Sequence, residues 1–298
     1  MELNWGLAIA IYLYVAAMAG GAYVAAALCC IFGPKETRRA TCYGYIYAMP
    51  LLIIGAIALI VDLGQPARFL NLLALFKFNS PMSAGAWGLL FFGFFCILGT
   101  IFTLGEGKEG GLWATLYKWV EALVPREAVA ATGALVAIFL MAYTGTLLNS
   151  TSVPMWSDTP LLSGLFLASG VSTGVALMLV LNRSITGLPQ LYALEELDNI
   201  AIIMELVLLA LMILMLRREI GPDGHSLSHA LVSGTLGTWF WLGVVVVGLI
   251  LPLILNFFSG LKGKHTGKAP SLIAPILVLI GGFILRVVIV YAGQVGLG

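Results

Sequence analysis

The sequence predicts an all-α integral membrane protein of eight spanning helices, and three observations predict it. Of the 298 residues, 60% are hydrophobic and only 10% are charged, where soluble domains carry roughly 25% charged residues. Mean hydropathy is +1.03. The apolar residues fall into eight runs, each long enough to cross a hydrocarbon core of roughly 30 Å as a helix. No run alternates with the period of two that a membrane barrel requires. Backbone groups in lipid must be satisfied internally, which leaves the helix as the spanning element. The net charge of +1 gives no general pull on nucleic acid.

The first run, 5–32, begins at Trp5 without a basic segment before it and is too long for the core of a cleavable leader; it reads as a span. The others lie at about 43–61, 84–104, 128–148, 160–181, 197–216, 231–257 and 271–293. Gly64 and Pro66 stop the second span after Asp62. Ser80-Pro81 opens the third, proline being suited to a first helical turn. Lys and Arg set the orientation. One set of loops holds Lys35, Arg38, Arg39, Lys108, Lys118, Arg126, Arg183, Lys262, Lys264 and Lys268, and the other holds only Arg68, Lys77, Arg217 and Arg218. The richer set is expected on the cytoplasmic side, with both termini outside.

Two segment pairs suggest an internal repeat. Ala16–Gly21 of the first span shares a small-residue texture with Ser169–Gly174 of the fifth, at an offset of 153 residues. Tyr143-Thr144-Gly145 shares one with Tyr291-Ala292-Gly293, at 148. An offset of four spans gives a parallel repeat about an axis along the membrane normal, and recurring Gly and Ala in helical membrane proteins give the same texture without duplication. The expected architecture is two four-helix bundles, residues 1–150 and 151–298.

The histidines and cysteines exclude an electron wire through the protein. His225, His229 and His265 all fall in expected loops, and one helix does not supply both axial ligands of a haem. Cys29, Cys30, Cys42 and Cys96 have no zinc-site spacing and read as small packing residues. No metal is expected here, so any redox role needs a partner's cofactors.

The segment richest in chemistry runs Asp62-Leu63-Gly64-Gln65-Pro66-Ala67-Arg68-Phe69, then Ser80-Pro81-Met82-Ser83-Ala84-Gly85-Ala86-Trp87. On physics alone it is a charged helix end that reaches water, or an interfacial pocket lined by Asp62 and Arg68. The pattern resembles the signature of the NrfD/polysulfide reductase membrane-subunit family. So do Tyr143–Leu148 with Pro154-Met155-Trp156, Leu165–Gly170 with Ser172-Thr173-Gly174, and Gly281–Arg286 with Ala292-Gly293. The stretches cover nearly the whole sequence in the family's order, and eight spans match its shorter branch.

The resemblance implies a membrane subunit of a respiratory oxidoreductase in the cytoplasmic membrane of a bacterium or archaeon. Such a subunit exchanges two electrons with menaquinone or ubiquinone at the outer face and holds no haem or metal. It docks on a four-cluster iron–sulfur subunit that serves a catalytic, often molybdopterin, subunit. Asp62 is the implied proton acceptor and Tyr143 the hydrogen-bond partner of the second head-group oxygen. Arg68, Ser83, Thr144 and Gly145 complete the implied quinone contacts, with Tyr14 from the first span. Some relatives place a histidine in that span; this sequence offers Tyr12, Tyr14 and Tyr23 instead. The Trp156 loop and the segment after Asp62 are the expected docking surface.

Glu205 and Arg286 lie inside the sixth and eighth spans. Charges within a membrane face the bundle interior or water. They read either as a proton relay or as a structural pair, with Glu195, Glu196 and Asp198 as a solvated helix start or the mouth of a proton route. Two rival functions remain: an ion or solute transporter, which predicts a helix broken near midplane, and a passive anchor, for which eight spans are excessive.

Overall fold

The computed structural model describes residues 6–33, 42–62, 80–151, 153–157, 159–183, 188–219, 228–232, 236–266 and 271–294, and these residues are helical or lie in turns and connections. In chain order the helices are α1 (Leu7–Phe32), α2 (Tyr43–Asp62), α3 (Pro81–Gly105), α4 (Leu112–Leu123), α5 (Arg126–Asn149), α6 (Pro154–Ser157), α7 (Leu161–Leu181), α8 (Leu188–Leu216) and α9 (His229–Val232). A π-helical stretch, Trp239–Ile250, runs directly into α10 (Leu251–Thr266), and α11 (Ile273–Ala292) follows.

Eight segments are long and apolar enough to cross a membrane: α1, α2, α3, α5, α7, α8, the π–α10 unit and α11. They coincide with the eight expected runs, and the protein is a multi-pass integral membrane protein. Their outward faces carry large apolar side chains, such as Ile53, Ile54 and Ile57 on α2, Phe91 and Phe94 on α3, and Ile200, Ile203 and Val207 on α8. In water such a surface would aggregate; in lipid it is the matched solvent. Proline enters α2 at Pro50 without ending it.

Two boundaries differ from the expected ones. The sixth span begins earlier than residue 197: α8 already includes Leu191–Asp198. The seventh begins later than residue 231, because α9 closes at Val232 and the span starts at Trp239. In the sequence the apolar run is diluted there by Ser233, Gly234, Thr235, Gly237 and Thr238. Helix α4 was not expected at all. Its 12 residues are too few to span.

The most enclosed span is α1, which packs on α2, α5, α7 and α11. Helix α7 packs in turn on α8, α5, α1 and α11. The two small-residue segments that suggested a repeat meet at the α1–α7 crossing. A Cβ on Gly21 would overlap the Gly170 carbonyl, and one on Gly174 would overlap the backbone at Gly21 and Ala22. Absent side chains let two backbones touch, and dispersion contacts then replace the hydrophobic drive that lipid removes. Gly248 and Gly281 bring the π segment against α11 in the same way.

Several threonine hydroxyls inside the spans are satisfied by their own helix. Thr103 donates to Gly99 O at 2.8 Å and Thr173 to Ser169 O at 2.7 Å, each one turn back. Trp156, fully buried, donates its indole N–H to Ile289 O at 3.0 Å and fills the space beside Gly293. That bond fixes the α5–α7 connection to the end of α11.

Candidate functional site

Tyr143 sits on α5 six residues before its end at Asn149, about 9 Å deep at 1.5 Å per residue. It is buried at 6% exposure, stacks on Phe139 with ring centroids 6.2 Å apart, and lays its phenol end on Gly85 of α3. A Cβ at Gly85 would overlap the ring and its hydroxyl, so glycine here sets the depth at which the phenol rests. Tyr12 of α1 is buried within electrostatic reach of Tyr143, and its ring also lies against Gly55 of α2. Asp62 closes α2 seven residues, or about 10 Å, beyond Gly55. Tyr143 of α5 thus rests directly on α3 and lies near Tyr12 of α1, which in turn packs on α2.

The remaining expected contacts divide. Ser83 is buried on the first turn of α3, two residues before Gly85. Thr144 is buried and donates back to Met141 O at 2.6 Å. Gly145 lies against Leu162 and Ser163, where it lets α5 approach α7. Tyr14 faces away from Tyr143: it donates to Leu279 O at 2.9 Å and meets the Phe283 ring edge-on at 5.5 Å, both on α11. An i, i+2 pair on a helix points to opposite sides, which is why Tyr12 and Tyr14 serve different neighbours. Arg68 lies outside the described residues.

A second polar centre lies between α7, α8 and α11. Arg286 is fully buried; its Nη1 donates to Ser169 Oγ at 2.8 Å and its Nη2 to Phe166 O at 3.2 Å. Its guanidinium lies 4.2 Å from the Phe166 ring centroid, a cation–π contact strengthened by exclusion of water. Glu205 is buried beside Ser169 and feels the Arg286 charge. Arg286 thus bonds to Ser169, and Glu205 lies near the same serine and the same charge.

The same face of α8 continues to Asp198, fully buried, which accepts from Ser172 Oγ at 3.0 Å. Glu195 is buried one turn earlier, while Glu196 is exposed. The reading of this stretch as a solvated helix start is corrected for Glu195 and Asp198, because α8 begins early and turns both inward. Asn256 is buried and donates to Asn199 Oδ1 at 2.8 Å, and Tyr47 donates to buried Asn182 at 2.9 Å. Polar side chains thus run from Arg286 through Ser169, Glu205, Ser172 and Asp198 toward the end where α8 begins.

Sequence reasoning read Ser169 and Ser172 as small residues and as part of a family motif, and missed them as hydrogen-bond partners of buried charges. Their spacing from one another, three residues on one helix face, was the available signal. It also missed the Arg126 node. Arg126 Nη1 pairs with Glu106 Oε2 at 2.8 Å, and Nη2 donates to Cys42 Sγ at 3.0 Å. Trp156, placed in an expected docking loop, is buried and serves as the indole pin described above.

Fold and site together define a multi-pass membrane protein whose buried polar side chains are enclosed by spanning helices. The whole sequence, residues 1–298, matches the family model described as polysulphide reductase, NrfD, and the protein belongs to that family. It is 35% identical to the C chain of the polysulfide reductase of Wolinella succinogenes, over 99% of this protein and 95% of that one. It is 30% identical to protein NrfD of Escherichia coli, over 98% and 96%. The C subunit of the selenate reductase of Mesobacillus selenatarsenatis is 24% identical, over 88% of this protein and 68% of its own length.

Proposed function

We propose that this protein is the quinone-reactive membrane subunit of a respiratory oxidoreductase. Its place is the cytoplasmic membrane of a bacterium or archaeon, with both termini on the outer side. The observation that carries the reading is the buried Tyr143 phenol resting on Gly85, at the end of the bundle where α2 closes with Asp62. Quinol oxidation gives quinone, two electrons and two protons. Both head-group oxygens need hydrogen-bond partners, and a base must take a proton as electrons leave. Tyr143 supplies one partner and Asp62 the base; Arg68 completes the entry side, Thr144 and Gly145 hold α5 in register, and Ser83, two residues before Gly85, lies on the other side of α3. Tyr12, rather than Tyr14, is the first-span tyrosine suited to face the head group. The substrate is menaquinol or ubiquinol.

The electrons pass to a four-cluster iron–sulfur partner and from it to a catalytic, molybdopterin-type subunit. Two relatives are named as components of a polysulfide reductase and a selenate reductase, and this supports such an assembly. The fold is organised as two four-helix bundles, 1–150 and 151–298. Supporting this, α1 packs on α2 and α5 much as α7 packs on α8 and α11. The Arg286, Glu205 and Asp198 file in the second bundle serves as a proton relay from the side where α8 begins. Transporters of the rival kind break a helix near midplane, and the eight spans here are continuous.

The test is menaquinol-dependent reduction of the terminal acceptor by the complex in liposomes, with the native protein or Asp62→Asn. Turnover is expected to fall at least about tenfold, about 1.4 kcal/mol of lost transition-state stabilisation. Unchanged turnover removes Asp62 from the reaction.

A further inference from the structure

Between the third and fifth helices the protein makes an excursion that the quinone reading does not use. Its base is closed by the Arg126–Glu106 ion pair at 2.8 Å. Within it, α4 lies against the end of α3. Gly105 there has no room for a Cβ because Tyr117 and the Trp113 carbonyl fill the space, and the Tyr117 and Phe102 rings meet edge-on at 5.7 Å. Tyr117 also donates to Glu121 at 2.8 Å. Burial, with that hydrogen bond, pushes the Tyr117 hydroxyl up to about 12, so it stays a donor at neutral pH. The ion pair and the Gly105 contact hold α4 at the level where the spans end.

Helix α4 has more apolar surface than the protein covers. Ala114 and Val120 are buried, with Tyr117 half-buried between them. Around the helix, Leu112, Trp119 and Leu123 stay open at 70%, 66% and 64%. At 100° per residue these three lie within one narrow sector, beside the half-buried Leu116. Thr115, Lys118 and Ala122, all exposed, form the remaining sector. The helix therefore has three faces: one on α3, one polar, and one apolar and uncovered.

We infer that α4 lies in the plane of the membrane interface, with Leu112, Trp119 and Leu123 embedded at the boundary of head groups and acyl chains. The occupant of the open face is lipid. Helix α4 links α3 and α5, two spans whose outward faces carry exposed Phe91, Phe94, Ile97, Leu135 and Ile138, so lipid borders both of its neighbours. Leucine and tryptophan are the side chains interfacial helices use to embed. The segment 106–127 carries Lys108, Lys118 and Arg126 against Glu106, Glu109, Glu121 and Glu127. It has no excess of positive charge, so attachment is apolar and does not select anionic head groups.

The test places a fluorescent label at Trp119→Cys or Lys118→Cys, in the full complex in phosphatidylcholine nanodiscs. Native protein treated with the label sets the background from its own thiols. Each label is challenged with a nitroxide on the lipid tail near the ester and with a water-soluble nitroxide. The expected result is several-fold stronger quenching by the lipid-borne nitroxide at 119 than at 118, the reverse with the soluble one, and no change on adding anionic lipid. Equal quenching of both labels by the soluble nitroxide overturns the inference by placing α4 in water. Protection of the 119 label from both quenchers overturns it by placing a protein on that face.

Discussion

Arg286 Nη1 donates to Ser169 Oγ at 2.8 Å, joining the last spanning helix to α7 across 117 residues of sequence. The guanidinium is fully buried, with the Phe166 carbonyl and ring as its other partners. Removing the serine hydroxyl leaves a charged N–H without its acceptor, and stranding a buried donor costs about 1–3 kcal/mol. Ser169→Ala is expected to lower the unfolding midpoint of the purified complex. Ser169→Thr, which keeps the hydroxyl, is expected to recover part of the loss. Thermal melts in detergent read both.

Gly85→Ala probes the Tyr143 position directly. The new methyl would overlap the phenol and must displace it. The expected outcome is a KM for quinol raised about tenfold, or about 1.4 kcal/mol, by steady-state assay. Gly88→Ala is the control: its Cβ would meet the edge of the Phe139 ring at 3.0 Å and Leu140 Cδ1 at 3.9 Å, without overlapping Tyr143, and KM is expected to change far less.

Asp198→Asn keeps the shape and the acceptor for Ser172 while removing the group that carries a proton. If the file on α8 is a relay, proton uptake from the side where α8 begins slows, with quinol KM unchanged. A pH-sensitive dye trapped in liposomes measures the uptake. Uptake at the native rate assigns Asp198 a structural role.

At the α1–α7 crossing, Gly21→Val is expected to prevent assembly of the folded protein. The branched side chain meets the Gly170 backbone, which cannot move as a flexible side chain could. Overpacking costs typically about 1–3 kcal/mol. The yield of monodisperse protein on size exclusion is the readout.

The spans were legible because length and hydropathy alone decide them, and each lipid-facing surface repeats the signal. The start of α8 was not, since carboxylates at 195 and 198 look like a solvated end until α7 supplies Ser172 as a donor. Tyr143 could be singled out from its motif. Its resting place on Gly85 could not, because a contact between two helices leaves no periodic trace in either. The sequence reading put Tyr14 among the quinone contacts, whereas packing turns Tyr14 to α11 and leaves Tyr12 in the neighbourhood of Tyr143. Helix α4 went unseen because a 12-residue amphipathic stretch is too short to register against spans of 19–26 residues.

The central claim is that quinol reacts beside Tyr143. It is tested most directly by quinol-driven reduction of the terminal acceptor with Tyr143→Phe, which keeps the ring on Gly85 and removes only the hydroxyl. Turnover at least about tenfold below the native complex, about 1.4 kcal/mol, with an unchanged unfolding midpoint, is the predicted result. Native turnover and native KM in that variant would contradict it.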